Sequence, residues 1–211
     1  MVKQMKKDIF WTNSIKLTMK ITIIAVFSAL GLALKAAFAF LPNIEFVTFI
    51  LMFSIFFFSI EIGFGIVNVY CTLNMVTFGI ADWSLMYFVI FNLYAVIILW
   101  LKPLISKWWW TMIIMNGLFG YLFGSLYAIQ TALLFNSTSV GLAYWINGLV
   151  FDAIHGTGNI IVTALLFAPV YKLMEQLVQK WPFIFNNRFI INSEINLCQK
   201  NKLSKKELTL S

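Results

Sequence analysis

The chain has 211 residues, 61% of them hydrophobic and 11% charged, with a mean hydropathy of +0.88 and a formal net charge of +7. A soluble domain of this size carries far more charged surface. Composition therefore excludes a soluble globular protein and points to an integral membrane protein. The positive charge does not imply a nucleic-acid partner, because nearly all of it is confined to the two tails and one short loop.

The basic start, MVKQMKKDIFWTNSIKLTMK, precedes an apolar segment. That segment runs for about 20 residues, longer than the about 7–15 of a signal-peptide core. A first transmembrane helix is expected over roughly 18–40, although Ala37-Phe38-Ala39 resembles a cleavage site, and Pro42 ends it. The apolar run 44–79 is too long for one span. It is read as the second and third helices, with a tight turn at Glu61-Ile62-Gly63-Phe64-Gly65. A fourth helix is expected over about 83–101, stopped by Lys102-Pro103. A fifth follows over about 109–134, closed by the polar turn Asn136-Ser137-Thr138-Ser139, and a sixth over about 141–172. Helices are the reading because an open sheet cannot satisfy its backbone in lipid and no barrel-type alternation is present. The fold class is an all-α integral membrane protein with six transmembrane helices. Residues 1–175 form the membrane domain, and 176–211 form a polar cytoplasmic tail expected to be flexible.

Charge placement orients the bundle. Six spans put both termini on one side, and every Lys and Arg except Lys35 then falls on that side. The opposite loops carry Glu45 and Asp82 and no basic residue. Both termini are therefore expected in the cytoplasm of a multi-pass protein of the cell membrane. Cys71 lies in an apolar run and Cys198 in the polar tail, so neither a disulfide framework nor a metal-ligand spacing is read.

Four features carry candidate chemistry. Ala25, Ala29, Ala33 and Ala37 recur every fourth residue and form a slowly drifting stripe of small side chains. Such a stripe lets another helix approach closely in lipid, either one of the protein's own or that of another subunit. Lys35 faces away from the stripe. A charge there costs about 2.5–3.5 kcal/mol near mid-membrane, so it must snorkel outward, pair with Glu45 or Asp152, or line a polar pocket. In the outer loops, Asn43 can cap the second helix, Glu45 suits its first turn or a ligand, and Asp82 reads as an N-cap. Trp83 and Tyr87 fit an interfacial aromatic belt and are equally suited to stacking on a flat ligand. Finally, Trp145, Asp152, His155 and Asn159 are spaced 7, 3 and 4 apart and share a helical face with Gly148. Ionisable residues on one stripe of a membrane helix must face protein or a cavity, so this stripe is either an interhelical hydrogen-bond network or the wall of a binding pocket.

One histidine and one aspartate are too few for a metal site, and no nucleophile stands in an evident arrangement with His155. No Walker loop and no inverted repeat is found, so the chain reads neither as an ATPase nor as a self-sufficient secondary transporter. No cofactor is expected, and the chain is not read as an enzyme. The alternatives are a small intramembrane enzyme using Asp152 and His155, or an assembly subunit that binds no ligand.

The combination of a small, basic-tailed six-helix chain, the helix-one alanine ladder, the loop LPNIEFVTF and the segment WINGLVFDAIHGTGNIIVTALLFAPVYKLM resembles the substrate-binding S component of energy-coupling factor (ECF) transporters. The likeness covers about residues 15–175, with more phenylalanine in helix two than the glycine-containing helix of many relatives. It implies a passive receptor that binds a vitamin or related micronutrient from outside, such as pantothenate, folate or cobalamin. It implies docking through Ala25, Ala29, Ala33 and Ala37 onto a membrane scaffold, the T component, with two cytoplasmic ABC-type ATPases driving release. The substrate-binding residues expected on this basis are Lys35, Asn43, Glu45, Trp83, Tyr87, Tyr144, Trp145, Asp152 and His155.

Overall fold

The computed structural model describes residues 13–41 and 44–185. These form six α-helices: α1 (Asn13–Ala37), α2 (Val47–Phe57), α3 (Ile60–Phe78), α4 (Asp82–Lys107), α5 (Trp110–Leu134) and α6 (Thr138–Lys180). A single 3-10 turn, Pro182–Ile184, follows. No strand occurs among the described residues, and five of these helices are long and apolar enough to cross a membrane. The protein is a helical, multi-pass membrane protein. The exception, α2, has 11 residues. At about 1.5 Å per residue it spans roughly 16 Å, half of a hydrocarbon layer of about 30 Å.

Contacts at the two ends set the order of the bundle. At one end Lys20 pairs with Glu61, the Lys16 ammonium lies 6.0 Å from the centre of the Phe183 ring, and the Ser59 amide donates to the Ile184 carbonyl at 2.9 Å. The start of α1, the break between α2 and α3, and the segment after α6 therefore meet. At the other end the Lys35 ammonium donates to the Tyr87 hydroxyl (3.1 Å), the Tyr127 hydroxyl to the Trp83 carbonyl (2.9 Å) and Gln130 to the Asp82 carbonyl (3.1 Å). Successive helices thus alternate in direction, and the ends near residues 16 and 183 lie together.

Every residue of α2 is buried. Its rings pack on one another and on α6: Phe53 and Phe57 have centroids 4.1 Å apart, Phe57 meets Tyr171 at 5.4 Å, and Phe56 meets Phe167 at 6.2 Å. A helix apolar on all sides belongs inside protein rather than at a boundary. α1 is the opposite case. Only 11% of its most apolar stretch is buried, against 39% in each of the other four candidate spans, so it is the peripheral helix.

Several boundaries depart from the sequence reading. The break in the 44–79 run falls at Phe58–Ser59, not at 61–65. Glu61 occupies the first turn of α3, where a negative charge suits the helix dipole. Gly63 is a contact rather than a turn, because a Cβ there would sit about 3.1 Å from the Ile55 Cα. The true break is held from outside, by Phe185 bridging Phe58 and by Ile184 accepting from Ser59. α4 does not stop at Lys102-Pro103 but continues through Pro103 to Lys107, held by the buried Lys102 and Ile105. α6 runs from 138 to 180 through Pro169, beyond both ends expected, and its last turns bury Met174 and Val178. Asp82 is not the cap of α4. Ser84 does that work, accepting from the Ala81 amide at 2.9 Å and donating to its carbonyl at 2.8 Å. Pro42 and Asn43, and the chain before 13 and after 185, lie outside the described residues.

Candidate functional site

The site is built on the α5–α6 hairpin. Gly117, Gly120 and Gly124 recur along one side of α5. A Cβ at Gly120 would lie 2.6 Å from the Gly156 Cα, and one at Gly117 would meet Ile160. Without side chains there, the two helices close to backbone contact, the packing that lipid favours. Below the site a buried polar chain locks the register. The Tyr94 hydroxyl donates to Asn116 Oδ1 (2.9 Å), Asn116 Nδ2 to Thr163 (2.9 Å), and Asn159 Nδ2 to the Asn116 carbonyl (3.1 Å).

Above this lock the hairpin opens into a cavity of about 570 Å³ against α4, within the range of a small-molecule site. Its aromatic wall is Trp83, Tyr87, Phe123, Tyr127, Tyr144 and Phe151, and its polar lining is Asn147, Asp152 and His155. Gly148 gives it room, since a Cβ there would meet nothing within 4 Å. Asp152 is 7% exposed and its Oδ1 accepts the Gly124 amide at 2.9 Å. That bond requires glycine at 124, because a Cβ would collide with the carboxylate. Asp152 Oδ2 has no hydrogen-bond partner among the described residues, and neither does His155 Nε2 on a side chain 6% exposed. The His155 ring stands edge-on to Phe123 at 5.0 Å. Buried polar atoms without partners cost stability and invite an outside partner.

Lys35 does not line the cavity. It sits behind the wall, bonded to the Tyr87 hydroxyl, with its ammonium 4.8, 5.3 and 5.8 Å from the ring centres of Tyr87, Phe78 and Trp83. This cage gives a membrane-embedded cation π faces in place of water. Glu45 is half-buried and within electrostatic reach of Lys35, Tyr87 and His155. Of the two carboxylates considered for Lys35, Glu45 is the nearer in this sense, but its direct partner is the phenol.

Five of the expected site residues thus share the cavity: Trp83, Tyr87, Tyr144, Asp152 and His155. Trp145 does not. Its indole N–H donates to Ser125 Oγ at 3.0 Å, in a separate shallow groove with Ala128, Ala132 and Gly141. The reason lies in the helix phase. Trp145, Asp152 and Asn159 repeat every seven residues and follow the seam with α5, whereas the cavity lies to one side, where Tyr144, Gly148, Phe151 and His155 recur every three or four. Asn43 lies outside the described residues. Phe123, Gly124, Tyr127, Asn147 and Phe151 escaped the sequence reading. The glycine spacing of α5 was the available signal for the first three.

All four ladder alanines, Ala25, Ala29, Ala33 and Ala37, are exposed. α1 packs inward through other residues: Ser28 donates to the Ile66 carbonyl (3.0 Å), and Ile24 and Gly31 lie against α3 at Gly65 and Tyr70. Among the described residues no three of His, Cys, Asp and Glu come together as a metal ion would need. Comparison with protein-family profiles, with curated proteins and with solved structures finds no match.

Proposed function

We propose that this chain is the substrate-specificity S component of an ECF-type importer in the plasma membrane. In this reading it has six spans and both termini in the cytoplasm. It binds a vitamin or related micronutrient on its outer side and passes it inward only when joined to a T component and two ABC-type ATPases. The observation that carries the proposal is the bare alanine stripe. A peripheral helix whose packing residues lie on one face and whose four alanines all lie uncovered on another is shaped for a partner helix. The cavity between α4, α5 and α6 supports the receptor half of the reading, with Trp83, Tyr87, Tyr144, Asp152 and His155 as ligand contacts and Lys35 bracing Tyr87 from behind the wall.

Docking is tested with Ala29→Trp and Ala33→Trp. Because both positions are exposed, the purified variants should keep the wild-type melting temperature and ligand binding. Co-purification with the T component and ATP-dependent uptake in reconstituted vesicles should be lost. Uptake at the wild-type rate in the double variant ends the proposal.

A further inference from the structure

The cavity's charge pattern says more about its ligand than its shape does. The one acidic group in its lining, Asp152, is buried and keeps one oxygen without a partner among the described residues. Lys35, for which Asp152 is one of two carboxylate partners the sequence offers, stands outside the lining, committed to the Tyr87 phenol and to three ring faces. Its field at the cavity is opposed by that of Glu45, which reaches His155 as well. The Tyr127 hydroxyl is spent on the Trp83 carbonyl, and the Asn147 amide nitrogen on the Ala143 carbonyl at 2.8 Å. The cavity wall therefore holds a carboxylate with one unpartnered oxygen, an imidazole with one unpartnered nitrogen, both atoms buried in the wall, and a ring of π faces, with no Lys or Arg in the lining.

Resting on the receptor reading above, we infer that this site takes a flat heteroaromatic cation, with its ring among Tyr87, Phe123 and Phe151 and its positive edge against Asp152. Each part has a physical cause. Aromatic faces carry negative quadrupole charge and attract cations, the more so where water is excluded. A buried carboxylate missing a partner gains a charge-assisted hydrogen bond or ion pair only from a positive or N–H-bearing group. A carboxylate-bearing ligand would meet Asp152 as a like charge, and a mismatch of that kind at a desolvated site is a rejection device. The site thus selects against acids such as pantothenate and folate.

The test uses the full chain in nanodiscs of zwitterionic lipid and three probes of matched shape: the 1-methylquinolinium cation, neutral quinoline and quinoline-3-carboxylate. Calorimetric titration should show the cation binding at least tenfold more tightly than the acid, with quinoline between. In Asp152→Asn, which keeps an oxygen for the Gly124 amide, the cation should lose at least tenfold while quinoline is unchanged. Gly148→Trp, which fills the space beside the carboxylate, should abolish binding of all three. Equal or tighter binding of the acid overturns the charge preference and leaves the receptor reading standing. The same holds for an unchanged cation-to-acid ratio in Asp152→Asn. Absence of binding by every probe at millimolar concentration also overturns the inference, while the alanine variants judge the importer reading separately.

Discussion

Two regions of this bundle are rich in aromatic side chains and use them in opposite ways. Around α2, Phe53, Phe57, Phe58, Phe167 and Tyr171 pack ring against ring and leave no hollow between them. Around the end of the α5–α6 hairpin that meets the start of α4, Trp83, Tyr87, Phe123, Tyr127 and Phe151 stand about a hollow that also holds Asp152 and His155. Aromatic content does not separate a core from a site. The difference comes from the residues between the rings. α2 places bulky side chains on all sides, whereas α5 and α6 alternate rings with Gly124 and Gly148 and add ionisable groups with unused hydrogen-bonding capacity.

The contrast can be broken most severely at the filled end. Phe57→Ala should cost about 4 kcal/mol, by loss of contact and the cavity left behind, read as a large fall in melting temperature in detergent. Next, Gly120→Val should cost about 3 kcal/mol by forcing α5 off the Gly156 backbone, read as a lower melting temperature together with loss of ligand binding. Asn116→Ala leaves the Tyr94 and Thr163 hydroxyls short of a partner while keeping the backbone carbonyl that Asn159 uses, and should cost about 1–2 kcal/mol, measured by the same unfolding assay. At the open end, Phe151→Ala should cost less than about 1 kcal/mol, because the ring is 52% exposed and already borders empty space. It should still weaken ring-bearing ligands. A Phe151→Ala loss as large as that of Phe57→Ala would show that the hollow is closed in solution and erase the distinction.

Particular residues show how far the sequence could be read. The helices were legible because an apolar run of sufficient length has one stable form in lipid. Asp152 and His155 were legible as a pair because ionisable groups on a membrane helix are expensive and must face something. Trp145 was misplaced beside them, since a helical wheel gives relative angle but not which angle meets a neighbour. Phe123 and Tyr127 are harder to place, because only the neighbouring glycine spacing of α5, and nothing in the rings themselves, distinguishes a ring in a wall from one in lipid. The position of the α2–α3 break depended on Phe185 and Ile184, more than a hundred residues away.

By itself, then, the amino-acid order determined a membrane-embedded helical chain, the approximate reach of its spans, a stripe of small residues on the first helix and a costly acid–imidazole pair on the last. Only the tertiary structure decided that the stripe is bare, that α2 is enclosed, that Lys35 stands behind the aromatic wall and that Asp152 stands inside it. The physical reason is that hydropathy is a property of one segment against lipid, while packing in lipid depends on which small residues on two separate segments come face to face.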